Sequence, residues 1–359
     1  MSKALGEQLS RQTVLVTGGA GFIGCALSQR VAAASGRYVV VDILHPQVHA
    51  RQERPDDLHE AAELVVADVT QAATWDALLE TVRPDVVVHL AAETGTGQSL
   101  TEATRHALVN VVGTTQMLDG FVRADHRPSH MVLTSSRAVY GEGAWRGSDG
   151  QVFYPGARTH EQLERAQWDF TDGTPLPARA AQTTPAPTNI YGATKLTQEL
   201  ILGAWSDAMD NALSVLRLQN VYGPGQSLTN SYTGIVALFS RLAKEGKAIP
   251  LYEDGNVTRD FVFIDDVADA LTAAVAAPPA RRRLVDVGSG AVTTIEDMAA
   301  SVARLYGAPA PEVNGKFRDG DVRHAMCDIT DTLADLDWKP QFDLDAGLAG
   351  LRTWIDSRL

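Results

Sequence analysis

The segment Thr17-Gly18-Gly19-Ala20-Gly21-Phe22-Ile23-Gly24 sets glycines at close spacing ahead of a helical pattern. A segment of this kind, joining strand to helix, turns tightly and lets the backbone approach a pyrophosphate. The helix N-terminus then offers that anion free N–H groups and partial positive charge. Asp42 ends the next apolar run, where a carboxylate accepts hydrogen bonds from ribose hydroxyls. The residues after it, Ile43 and Leu44, bring no arginine for a 2′-phosphate, so NAD is expected rather than NADP. Asp68 and Val69 end a third run and are read as flanking the adenine, with a helix-cap role for Asp68 as the alternative.

A second group of residues can move protons. Tyr191 and Lys195 stand at i and i+4 on a predicted helix, so phenol and ammonium share one face a turn apart. A neighbouring ammonium favours phenolate and makes a base available near neutral pH. Thr134-Ser135-Ser136 closes another strand pattern at the end of the sheet where ligands bind, and Ser136 is the hydroxyl expected to bond the oxygen that loses its proton. Ser135 is read either as a backbone cap or as a cofactor contact.

These residues need a scaffold, and the chain supplies one. Nearly continuous apolar runs at 13–17, 37–42, 63–68, 85–90, 130–135 and 212–218 read as strands covered on both faces. Helical patterns near 22–34, 71–81, 102–122 and 189–208 separate them. The expected fold class is α/β, a Rossmann doubly wound parallel sheet, with a smaller mixed α/β substrate-binding domain after residue 223. Residues 1–222 are assigned to the cofactor domain, joined by parts of 257–288, and 223–359 mainly to the substrate domain. The stretch 141–188 carries many Gly and Pro residues and several aromatics, and is expected to form a surface excursion, a lid with one short helix around Glu161 to Trp168.

Composition narrows the partners. The 359 residues include 31 Lys+Arg against 44 Asp+Glu, a net charge of −13, which disfavours nucleic acid and anionic membrane surfaces as partners. Two cysteines, Cys25 and Cys327, leave no disulfide framework or metal knuckle, and no metal site is expected. The polar start, Met1 to Gln12, lacks a signal-peptide core, and no uncharged apolar run approaches the ~20 residues of a membrane span. A cytoplasmic location is expected.

Read together, the motifs TGGAGFIG (17–24), HLAAETGTGQS (89–99), NVVGT (110–114), SSRAVYG (135–141), YGATK (191–195), QNVYGPGQS (219–227), RDFVFIDDVADA (259–270) and GDVRHAMCD (320–328) resemble an extended short-chain dehydrogenase/reductase of the nucleotide-sugar epimerase and dehydratase group. The resemblance implies Ser136, Tyr191 and Lys195 as the catalytic triad. It implies a cofactor site of Gly18, Gly21, Phe22, Ile23, Gly24, Asp42, Ile43, Asp68, Val69, Leu90, Ala91, Ala92, Asn110 and Ser135 with Tyr191 and Lys195. Asn220, Arg259 and Arg323 are implied to hold the nucleotide diphosphate, with Ser136 and Tyr252 also placed on the substrate. Family members pair the helices at 102–122 and 189–208 into a four-helix bundle, which implies a homodimer.

Within the family, members that eliminate water or decarboxylate carry acidic residues directly after the active-site hydroxyl. Here Arg137 and Ala138 stand there, which favours 4-epimerisation through a keto intermediate. The motif combination resembles a subgroup that includes dTDP-L-rhamnose 4-epimerases, and the insertion 141–188 is where sugar preference is expected to reside. A UDP-sugar 4-epimerase, a nucleotide-sugar reductase or dehydrogenase, and a non-enzymatic dinucleotide sensor stand as the alternatives.

Overall fold

The computed structural model describes residues 9–49, 51–228 and 234–358, so most of the polar start read at residues 1–12 lies outside them. Seven strands form one parallel sheet: β1 (Thr13–Thr17), β2 (Arg37–Asp42), β3 (Ala62–Val66), β4 (Val86–His89), β5 (His130–Ser136), β6 (Ala212–Leu218) and β7 (Arg282–Val287). Their order is β7-β6-β5-β4-β1-β2-β3. Successive strand residues point to opposite faces, and both faces are covered. Val14, Val16, Val40, Val86 and Val88 enter one core, while Leu15, Val39, Val41 and Val87 enter the other. This is why the strands read as unbroken apolar runs.

Helices α1 (Phe22–Val31), α2 (Ala72–Thr81), α3 (Gly113–Arg123) and α4 (Ile190–Met209) follow β1, β3, β4 and β5. The helix expected at 102–122 is divided: short helices Thr96–Thr101 and Ala103–Ala107 lead into a wide π-turn at Leu108–Val112 before α3. That turn holds Asn110 fully buried, where its amide accepts from Glu93 N at 2.7 Å and donates to Glu93 O and Thr194 Oγ1.

Past residue 222 the chain alternates between two bodies. α5 (Ile235–Lys244), α7 (Ile295–Tyr306) and α8 (Leu344–Arg358) build a cap around Tyr222, Phe261 and Phe263. Between them, α6 (Ile264–Ala276) and β7 return to the large sheet, and α6 lies against α1, where Arg30 reaches Asp265 at 2.8 Å. In the cap, strand Thr258–Arg259 pairs with Thr293–Thr294 and with His324–Ala325. Among the described residues, no helix is long and apolar enough to cross a membrane.

The insertion departs from its expected role. It forms a small antiparallel sheet of Trp145–Gly147, Val152–Phe153 and Gly173–Pro175, with a helix at His160–Glu164. Trp145 is buried edge-on against Phe170 at 5.1 Å and His324 at 5.5 Å. Arg158, also buried, donates to both oxygens of Glu253, at 2.8 and 2.9 Å, and to Asp321 O at 2.8 Å. Its Nε lies 3.3 Å from Glu142. These contacts tie the insertion behind the cap as a buttress, and none of its residues lines the central cavity.

Candidate active site

A cavity of about 650 Å³ opens at the carboxyl ends of the sheet strands and runs under the cap. The glycine turn forms one wall. Gly18 has φ +66°, and a Cβ there would sit 2.7 Å from Ala91 Cα. A Cβ on Gly24 would sit 2.4 Å from Gly19 Cα, so glycine at both positions lets the turn, the following helix and the loop after β4 close together. This leaves the N-terminus of α1 facing the cavity through Gly21, Phe22 and Ile23, with Leu90, Ala91 and Ala92 opposite. Asp42 lines the same wall, its carboxylate held by Ala20 N at 3.1 Å and Leu44 N at 2.9 Å. His45 and His49 also line it, and burial lowers the His49 pKa. A glycine cradle that a Cβ would fill and an oriented strand-end carboxylate fit an adenine dinucleotide without a 2′-phosphate.

The proton-handling residues meet where α4 begins. Asn189 caps the helix by accepting from Gly192 N at 2.8 Å. Gly192 packs so closely on the turn after β5 that its Cβ would lie 2.4 Å from Ala138 O. The result is that Tyr191 and Ser136 line one region of the cavity. Burial raises the Tyr191 pKa, while hydrogen bonding by Ser136 and then the positive charge of Arg137 pull it down.

Lys195 is arranged differently from the expectation. Its Nζ donates to Gln198 Oε1 at 2.5 Å, not to Tyr191, and burial pushes its pKa down to about 7. Gln198 Nε2 in turn reaches Thr114 Oγ1 at 2.9 Å and His89 Nε2 at 3.1 Å. Thr17 Oγ1 lies 2.7 Å from His89 Nδ1. A chain of polar side chains therefore runs from Lys195 beneath the glycine turn to β1.

Several other expected contacts take structural roles here. Arg323 does not line the cavity: its guanidinium is held by Asp169, Glu253 and Asp254, the shortest contact being 2.7 Å to Asp254. Three carboxylates saturate its donors, which removes it from the expected diphosphate contacts. Ser135 donates to Glu199, which also pairs with Arg217 at 2.7 Å. Asp68 accepts from Thr70 N at 2.8 Å, the cap-like alternative, and Val69 is buried in the core on the α2 side. Ile43 is exposed and, like Asn110, lies outside the cavity lining. Asn220, Tyr252 and Arg259 do line it. Arg259 donates to the carbonyls of Thr258 and Arg323 and has no carboxylate partner among the described residues. Sequence reasoning missed Arg137 and Arg318 as cavity cations; Arg318 sits 5.1 Å above the Tyr252 ring. Arg137 was visible beside Ser136, yet counted only for the acid it replaces.

The chain is 64% identical over its full length to dTDP-L-rhamnose 4-epimerase of Burkholderia thailandensis, covering 99% of that protein. It is 32% identical over 341 residues to UDP-glucose 4-epimerase of Mycolicibacterium smegmatis, covering 93% of this chain and 96% of that one. Among solved structures, UDP-glucose 4-epimerase from Thermotoga maritima, determined with UDP-glucose, superposes with a TM-score of 0.78 at 25% identity, over 96% of this chain and 99% of the other. The model of the NAD-dependent epimerase/dehydratase family matches residues 14–288, and the chain belongs to that family.

Proposed function

We propose that the protein is an NAD-dependent 4-epimerase of a nucleoside-diphosphate sugar, and most narrowly that it interconverts dTDP-L-rhamnose and dTDP-6-deoxy-L-talose. The observation that carries the reading is Ser136 with Tyr191 beside a dinucleotide cradle, followed at 137 and 138 by no acidic side chain. Full-length identity of 64% to a dTDP-L-rhamnose 4-epimerase supports the sugar. NAD, when bound, supplies the electron-pair acceptor that oxidises the sugar carbon and later reduces it again. Tyr191 takes the hydroxyl proton and returns it after the ketone has turned its other face, while Ser136 hydrogen-bonds the same oxygen. Asn220 and Arg259 hold the diphosphate, a dianion matched to a guanidinium without a carboxylate partner.

Incubation with dTDP-L-rhamnose, followed by proton NMR, is expected to show a second C4 epimer at equilibrium with no net NADH absorbance. Epimer formation only from UDP-sugars would move the assignment to the UDP-glucose type, the activity named for the relative at 32% identity. Net NADH accumulation would replace epimerase by dehydrogenase. The activated 6-deoxysugar product suits polysaccharide assembly in the cytoplasm.

The same reading includes a homodimer through α4 and the helices before α3. Met117 and Leu118 on α3 are buried within the subunit, but Leu108, Val112 and Leu200 are exposed, Leu200 at 65%. Light scattering after size exclusion is expected to give twice the chain mass, and Leu200→Glu to give the monomer. A monomeric parent protein would end this assignment.

A further inference from the structure

Arg137 lines the cavity directly after Ser136. Among the described residues its one side-chain hydrogen bond runs from Nε to Asn220 Oδ1, at 2.8 Å, and no carboxylate forms an ion pair with it. Two of the neighbouring arginines behave otherwise. Arg158 and Arg323 are enclosed by Glu142, Glu253, Asp254 and Asp169. The fold therefore neutralises the cations behind the cavity wall and leaves Arg137 with both terminal amino groups unspoken for at the cavity itself. Holding such a cation out of water is costly unless a ligand completes its donor set.

Resting on the proposed function, we infer that Arg137 is a second catalytic cation: its terminal amino groups take an oxygen of the sugar nucleotide beside Ser136, and its charge favours the phenolate of Tyr191. Asn220 fixes the guanidinium by its Nε edge and so leaves the forked end for substrate. The electrostatics agree. Burial, and then the charge of Arg259, push the Arg137 pKa down to about 9, while Asp321, Tyr191 and Glu142 act in the opposite direction. A cation under that pressure gains from each negative charge brought beside it, and proton loss from Tyr191 creates one. Lys195, the cation on the helix of Tyr191, is occupied by Gln198. The groups bearing on Tyr191 are thus Ser136 and Arg137 at the end of β5; Lys195, one turn along the helix of Tyr191, donates to Gln198 instead, and Arg259, Asp321 and Glu142 act on Arg137.

Arg137→Met and Arg137→Lys variants, loaded with NAD, separate the possibilities. Removing a positive charge destabilises phenolate, so in Arg137→Met the acid limb of the kcat/KM profile is expected to move up by about one pH unit. Turnover at neutral pH should then fall about tenfold. Arg137→Lys keeps the charge but loses the fork, and is expected to restore the acid limb while leaving KM for the sugar nucleotide raised. A readout independent of turnover is the ultraviolet titration of Tyr191, taken as the difference between each protein and its Tyr191→Phe counterpart. It should show the same upward displacement in Arg137→Met. A higher KM with unmoved acid limb and titration would confine Arg137 to substrate binding and overturn the coupling. Unchanged kinetics and titration would overturn the whole inference. Should Arg137→Met not fold, the Arg137→Lys profile alone decides, since a displaced acid limb there contradicts a role through charge. A parent protein that titrates Tyr191 as described but turns over no nucleotide sugar would count against the function instead.

Discussion

Tyr191→Phe is expected to lower epimerase turnover by about 10²–10⁴-fold, the range that loss of a positioned acid/base costs, while the purified protein keeps its NAD. In the proposed reaction the phenol takes and returns the hydroxyl proton, and Phe preserves its ring. The cradle at Gly18, Gly24 and Asp42 does not depend on the phenolic oxygen, so cofactor content after denaturing extraction should match the parent. Undiminished turnover in this variant would remove Tyr191 from the chemistry. Loss of NAD together with activity would instead mean that the phenol holds the cofactor.

Arg158→Met is expected to destabilise the fold by ~3–5 kcal/mol, the cost of removing one member of a buried ion pair and leaving the other uncompensated. Arg158 and Glu253 have side chains only 1% and 3% exposed, and Glu142 is equally enclosed. Burial already raises the Glu142 pKa, with Arg158 as the first counterweight. Without Arg158, Glu253 keeps Arg323 alone and Glu142 keeps only weaker partners. Glu253 and Tyr252 line the cavity, so KM for the sugar nucleotide should rise as well. Calorimetry that finds the melting temperature unchanged would show that the insertion does not brace the cap.

The parts of this molecule that rest on local pattern were legible in the sequence. Val39, Val40 and Val41 announce a strand buried on both faces, and the glycine turn between β1 and α1 announces its own backbone geometry. The Tyr191 and Lys195 spacing correctly placed both on α4. What it could not show was the competition for each side chain. Arg323 looks like a free cation until Asp169, 154 residues away, and Asp254, 69 residues away, fold onto it. The partner of Lys195, Gln198, lay three residues ahead in plain view, but a neutral amide carries no sequence signal of its own. The insertion misled in the same way, because its Gly and Pro content describes a loop and says nothing of the ion pairs of Arg158 and Arg179 that anchor it.

The alternation of the chain between sheet and cap bears on how this protein can change over generations. Segments from both sides of α6 and β7 complete the cap, so no single recombination joint could graft a new cap onto the existing sheet. A cut anywhere in that region would strand a sheet element with the wrong half. Exchange of the cap as a unit therefore needs at least two joints, one on each side of α6 and β7, whereas a point substitution on the cavity wall leaves the cofactor cradle in place.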